Sequence, residues 1–197
     1  MSNFPSAQGA AAQPLSGPQL FEKLAPSVLR VEAKSLLGQA QGSAGAISPT
    51  LAGTNCHVVE GAQTIVVKQG TPEWPATLHQ SDPKGDRCVL EAPKASWSPI
   101  AGVRAYADLK VGEPLYALGT PSGLDLTLTD GILSARRENE GVRYVQTTTP
   151  ISPGSSGGGL FDAHGNLVGI TTLVFVGKER LNQSLNFAIA GEMFWSP

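Results

Sequence analysis

Three residues of the types that together cleave acyl bonds stand far apart in this chain: His57, Asp86 and Ser156. The most specific segment surrounds the last of them, residues 150–160, PISPGSSGGGL. A nucleophilic serine needs its Oγ exposed at a tight turn. It also needs backbone N–H groups aimed at the oxygen of the attacked carbonyl, and small neighbours that let a substrate backbone approach. Gly154-Ser155-Ser156-Gly157-Gly158 offers all three. Gly154 is free to take an unusual φ that sets its N–H beside that of Ser156, with Ser155 between, as an oxyanion hole. GSSGGG also suits a flexible linker. Its setting argues otherwise: strand-like residues 142–146 precede it, and strand-like residues 166–172 follow it after the Asp-Ala-His-Gly turn at 162–165.

Serine is a weak nucleophile and requires an oriented base. His57 lies in Thr54-Asn55-Cys56-His57-Val58-Val59, between a strand-like run and a Gly turn. His79 falls in a strand pattern and reads as a surface or half-buried strand residue. His164 reads as a solvated turn residue. The third member should be a carboxylate that holds the imidazole tautomer. Asp86 opens an apolar strand, 86–90, directly after the turn Ser81-Asp82-Pro83-Lys84-Gly85. Asp82 competes for the role, but it precedes a proline and better suits the turn. Cys56 fails as a nucleophile, because it neighbours its base in sequence and no Gly-rich hole flanks it.

The elements that must carry these groups read as strands. Gly (23) and Pro (15) are frequent in the 197 residues, and short apolar runs recur between turn signals. Runs appear at 28–33, 44–48, 64–68, 76–79, 87–91, 114–118, 126–133, 142–147, 167–176 and 186–190. Strands at this spacing, without helical periods between them, predict an all-β barrel or sandwich. Two six-stranded barrels fit the length, with their junction at 96–109. A short helix is expected at 19–24, ended by Pro26, a single turn at 57–59, and another after residue 191. Residues 1–17 read as a flexible leader, with neither the basic nor the apolar region of an intact signal peptide. This places an N-terminal barrel carrying His57 and Asp86 at 18–105, and a C-terminal barrel carrying Ser156 at 106–197.

Several function classes are disfavoured. A net charge of −2 leaves no electrostatic footprint for nucleic acid or an anionic membrane surface. No apolar run reaches the roughly 18 residues that span a bilayer. Two cysteines make neither a disulfide framework nor a zinc site, and the scattered histidines form no metal motif. No metal and no cofactor is expected.

Taken together, the motifs resemble trypsin-like serine proteases, most closely the HtrA/Deg family, over about residues 20–189. Gly42-Ser43-Ala44-Gly45 followed by Thr54-Asn55-Cys56-His57-Val58-Val59 looks like the family's G-S-G and T-N-x-H-V-V blocks. Residues 81–90, SDPKGDRCVL, look like S-D-P-x-x-D-[IL]-A-[VL]-L. Residues 112–124, GEPLYALGTPSGL, resemble G-x-x-V-x-A-I-G-N-P-x-G-L. Val145-Gln146-Thr147 leading into 153–158, PGSSGG, resembles I-Q-T…N-P-G-N-S-G-G, and Asn186-Phe187-Ala188-Ile189 resembles G-F-A-I.

The resemblance implies two perpendicular six-stranded β-barrels with short terminal helical turns and an active site between them. Ser156 is then the nucleophile, His57 the base, Asp86 the orienting acid, and Gly154, Ser155 and Ser156 the oxyanion hole. It implies a substrate pocket with a floor of Pro150, Ile151 and Ser152 and walls from Thr171, Thr172 and Leu173 and from Asn186. None of these is charged, so small uncharged residues are expected before the cut. The expected activity is endopeptidase action on unfolded or misfolded polypeptides; the rival reading is a protease-fold binding or chaperone module with little turnover. If His57 and Asp86 meet, Cys56 and Cys88 either bond or remain two buried thiols.

The departures from the family pattern are Ser155 in place of Asp or Asn, Asn186 in place of Gly, and Gly159 in place of Pro. Gly159 is expected to loosen the strand after the nucleophile. Residues 33–41 are expected to be only a short connection, and no PDZ domain follows before Pro197. By resemblance the chain is extracytoplasmic, either periplasmic or secreted. It is expected to be a monomer or a trimer, with Phe4 and Phe21 the candidate assembly residues.

Overall fold

Leu29, Val31 and Ala33 are buried on one face of β1 (Val28–Ser35), the period-2 pattern of a strand covering a core. It is the first of twelve strands in this computed structural model, which describes residues 4–7, 13–123, 125–172 and 186–195. The first six strands are β1, β2 (Gly38–Ala46), β3 (Leu51–Thr54), β4 (Thr64–Lys68), β5 (Glu73–Asp82) and β6 (Arg87–Glu91). They close a barrel in the order β1-β2-β3-β6-β5-β4. The second six are β7 (Pro114–Gly119), β8 (Thr127–Asn139), β9 (Val142–Thr147), β10 (Gly159–Asp162), β11 (Leu167–Thr172) and β12 (Asn186–Ala190). They close in the order β10-β11-β12-β9-β8-β7. The twelve strands pair antiparallel throughout, and closure leaves neither sheet an open edge.

Residues 33–41 are not a connection. They are the facing ends of β1 and β2, paired from Val28↔Gly45 to Ser35↔Gly38, with only Leu36 and Leu37 at the tip. The polar, small run Gly38–Ala46 carries no apolar alternation, so its strand character comes from its partner. The four-residue strand β3 was too short to stand out in the sequence.

Each barrel has its own core. Leu29, Val31, Val67, Leu90 and Trp97 pack in the first, and Leu115, Leu133, Val145, Leu160 and Val168 in the second. A third cluster fills the seam between them with Val28, Ile100, Val103, Phe161, Ile170 and Phe194. The helix α1 (Gly17–Leu24) adds Leu20 and Leu24 to this seam. It starts at a capping box in which Ser16 and Gln19 bond each other's backbone N–H groups. The leader is also engaged where it is described: Leu15 N–H donates to the Ala163 carbonyl, and Val103 N–H to the Pro5 carbonyl. Phe4 is partly buried against the seam cluster, while Phe21 is on the surface. The chain end returns to the first barrel as a single turn, Gly191–Phe194, where Arg87 Nη1 donates to the Met193 carbonyl at 2.9 Å.

Gly159 does not loosen its strand. β10 is paired on both sides, Gly159 opposite Leu118 on β7 and Ile170 on β11. A Cβ at Gly159 would overlap the ring of Phe161, which is fully buried two residues on. The glycine is thus the space into which that ring folds. Gly159→Ala should lower stability by about 1–3 kcal/mol through overpacking. Urea denaturation should show a lower midpoint at unchanged slope; a raised midpoint would mean that the strand had been slack.

Candidate active site

The turn after β5 is built by its own side chains. Asp82 Oδ1 accepts the Gly85 N–H at 3.1 Å, and its Oδ2 takes Arg87 Nη2 at 2.6 Å. Asp82 therefore closes the turn, as its place before Pro83 suggested. Asp86 is the last turn residue, not the first of the strand, which begins at Arg87. Its φ of 53° lies in the left-handed region, a strained conformation for a residue with a side chain. The surroundings hold it there: wholly buried Asn55 donates from Nδ2 to the Asp86 carbonyl at 3.2 Å.

This twist delivers the carboxylate to α2 (Cys56–Val59), the single helical turn after β3. The His57 N–H donates to Asp86 Oδ1 at 3.0 Å, and His57 Nδ1 lies 2.9 Å from Oδ2. A carboxylate accepts only, so Nδ1 carries the proton and Nε2 is left as the acceptor. Thr172 Oγ1, at the end of β11 in the other barrel, donates to the same Oδ2 at 2.9 Å. Burial alone pushes the Asp86 carboxyl pKa up, but the His57 ring and N–H with the Thr172 hydroxyl outweigh it and hold it below the ordinary carboxylate value. A disulfide joins Cys56, the neighbour of His57, to Cys88, two residues beyond Asp86, with Cα atoms 4.9 Å apart. It lies where Thr54 and Cys88 face each other in the β3–β6 pair.

Ser156 sits on the loop before β10. It is only 3% exposed, whereas an exposed Oγ was expected. Gly42 and Val58 close over this region: a Cβ on Gly42 would stand 2.6 Å from Val58 and 3.0 Å from the Ser156 carbonyl. The Ser156 hydroxyl makes no hydrogen bond to a described residue, which is uncommon for a buried polar group. Gly154 has a φ of 91°, which brings its backbone against Ser122 N and the Thr120 carbonyl where no Cβ would fit. Ser155 N–H donates to the Ser152 carbonyl at 2.9 Å, so this N–H is not free to serve a hole. Among the described residues, the N–H groups of Gly154 and Ser156 have no protein acceptor.

β11 links the two halves of the site through consecutive threonines. Thr171 Oγ1 donates to the Ser155 carbonyl at 2.6 Å while Thr172 holds Asp86. Thr172 is therefore turned to the carboxylate and is not a pocket wall. Of the residues expected to form the pocket, Pro150, Ser152 and Thr171 line a cavity of about 70 Å³ together with Leu118, Thr129 and Ser155. Ile151 does not line it. Asn186 is half-buried, paired with Thr147 at the start of β12, and is also outside the lining. Leu173 lies outside the described residues. His79 forms a bulge in β5 and stands 3.4 Å from Glu91, and His164 is in its turn, so neither joins the site. Sequence reasoning missed the holding role of Thr172, and of Ser43 and Thr120 beside the loop, because a threonine or serine in a strand carries no local mark of its partner.

The trypsin-like peptidase domain model matches residues 42–170. The chain belongs to this family. As a trypsin-like peptidase it is 41% identical over 127 residues to a probable periplasmic serine endoprotease DegP-like of Hahella chejuensis, covering 62% of this chain and 27% of that protein. It is 39% identical over 133 residues to Protease Do-like 1, chloroplastic, of Arabidopsis thaliana, covering 62% and 30%. The chain thus spans less than a third of these relatives. Among solved structures, the HtrA-type protease AlgW with tripeptide superposes with a TM-score of 0.82 at 32% identity, covering 91% of this chain and 61% of that one. The active form of the Rv3671c protease from M. tuberculosis superposes with 0.80 at 22% identity, covering 97% and 86%, a likeness of fold alone.

The lowered Asp86 pKa has a direct consequence for acid stability. The unfolded chain binds the carboxyl proton more readily than the folded one, so this contribution is complete above the unfolded carboxylate range and lost as pH falls through the folded value. The melting temperature should begin to drop as pH falls through the ordinary carboxylate range, near about pH 4, and go on falling below it. Asp86→Asn should melt lower at neutral pH and show a flatter acid limb; an unchanged limb would mean that the pair does not stabilise the fold.

Proposed function

We propose that this trypsin-like peptidase is a serine endopeptidase with His57, Asp86 and Ser156 as its triad. The observation that carries the reading is the sharing of β11 by the two halves of the site: adjacent threonines hold the acid of an oriented His–Asp pair and the loop of a buried, unpartnered serine hydroxyl. Ser156 Oγ attacks a peptide carbonyl and passes its proton to His57 Nε2, and the developing oxyanion is met by the N–H groups of Gly154 and Ser156. His57 then gives the proton to the leaving amine. Water repeats the sequence on the acyl-enzyme, and Asp86 stays ionised throughout. Proton transfer of this kind tolerates a slack resting geometry, which tightens when substrate binds.

Polypeptides are the substrate class, in keeping with the tripeptide named for the AlgW neighbour. Small uncharged residues are proposed before the cut. No charged side chain lines the cavity beside the loop, to which Pro150, Ser152 and Thr171 contribute. A Lys or Arg there would lose its hydration without a partner. An extracytoplasmic setting is proposed from the disulfide and from the relatives named periplasmic. No helix among the described residues is long and apolar enough to cross a membrane.

Ser156→Ala should abolish hydrolysis of an unfolded protein, a loss of many powers of ten in rate. Its melting temperature should be unchanged or slightly higher, because the hydroxyl removed is buried without a hydrogen bond. A fluorophosphonate should label wild type and not the variant. A wild type that is never labelled would support the binding module instead.

Cleavage-site profiling on a denatured protein mixture should find Ala, Val and Thr before the cut, graded among aliphatics because each methylene changes selectivity by only about 1–3 kcal/mol. Cuts mainly after Lys, Arg or Glu would refute the uncharged pocket.

A further inference from the structure

Ser43 belongs to β2 of the first barrel and is wholly buried, yet its polar atoms serve the nucleophile loop of the second. Its hydroxyl donates to the Gly154 carbonyl at 2.9 Å and accepts the Thr120 N–H at 2.9 Å. Its own N–H donates to the Ser156 carbonyl at 2.7 Å. Its carbonyl accepts the Thr54 hydroxyl at 2.7 Å, and it lies where a Cβ on Gly157 would stand.

These bonds lock the loop on both sides of the donors it presents. The peptide between Gly154 and Ser155 is held at its carbonyl by Ser43 Oγ and at its N–H by the Ser152 carbonyl. The peptide between Ser156 and Gly157 is held at its carbonyl by Ser43 N and at its N–H by the Thr171 carbonyl, at 2.8 Å. The Ser155 carbonyl between them takes Thr171 Oγ1 and the Gly158 N–H. Only the N–H groups of Gly154 and Ser156 remain without a described acceptor.

We infer that Ser43 is a positioning residue that, through the Gly154 and Ser156 carbonyls, holds the N–H groups of Gly154 and Ser156 aimed at the oxygen of the attacked carbonyl. The loop needs an outside anchor because it is almost entirely glycine and serine, whose peptides turn easily. Ser155 carries no charge with which to anchor it. The anchor is a hydroxyl of the other barrel, so the hole takes shape only when the barrels are docked. This inference rests on the endopeptidase reading.

The test compares wild type, Ser43→Ala and Ser43→Cys for kcat, KM and inhibition by a peptide aldehyde, whose adduct with Ser156 places an oxygen in the hole. Removing an oxyanion donor outright costs about 10²–10³ in kcat; Ser43→Ala loosens donors without removing them and should cost about 10–100-fold, with KM within about threefold. The aldehyde inhibition constant should rise by the same factor as kcat falls. A merely structural loss shrinks the active fraction and leaves that constant unchanged, which would overturn the inference. So would a kcat within about threefold of wild type. Should Ser43→Ala not fold, Ser43→Cys decides: its thiol donates only weakly, so a folded Cys variant with wild-type kcat and aldehyde affinity overturns the inference. Turnover by wild type and none by Ser156→Ala secures the endopeptidase reading separately; a wild type without turnover overturns both.

Discussion

A carboxylate that is half out of water must be satisfied from every side, and the Asp86 side chain imposes that demand on three separate pieces of the chain. It takes the N–H and ring of His57 from α2, the hydroxyl of Thr172 from β11, and its own position from a left-handed turn. Each unmet bond to a charged, partly buried group costs more than an ordinary hydrogen bond contributes. The local strain at Asp86 is therefore stabilised by what the strain makes possible. The disulfide, the buried Asn55 and the Asp82–Arg87 clasp surround this one group and leave it few other geometries.

The second constraint is closeness. The barrels meet along a seam in which backbone nearly touches backbone, and glycines mark the points of contact. Gly42 lies under Val58 and the Ser156 carbonyl, Gly45 between Ile100 and Ile170, and Gly157 against Ser43. A side chain at any of them would push the halves of the site apart. The chain ends reinforce the seam, with α1 packing into it and the last turn crossing back to the first barrel. Stability and site geometry are thus products of the same interface, which is why the loop that bears Ser156 is held by residues of both barrels.

The departures from the family pattern take on physical meaning in this frame. Gly159 gives the Phe161 ring room in β10. Ser155 has no charge, and its loop is held by neutral hydroxyls, Ser43 and Thr171, rather than by an ion pair. Neutral anchors of this kind are insensitive to the ionic strength that weakens ion pairs.

The fold class was legible from strand rhythm between Gly and Pro turns, and three motifs whose residue types make sense only together pointed to the chemistry proposed above. Strands such as Thr64–Lys68, Arg87–Glu91 and Val142–Thr147 were legible because a short apolar run between turn residues is a local property. Gly38–Ala46 was not, because a run of small polar residues becomes a strand only beside β1. Tertiary structure alone decided that Thr172 serves the carboxylate and not a pocket, that Ile151 and Asn186 stand off the cavity, and that Ser43 reaches across the seam. A hydroxyl's partner is set by what folding brings within 3 Å, and for Ser43 and Thr172 that partner comes from the other barrel, up to 111 residues away in the chain.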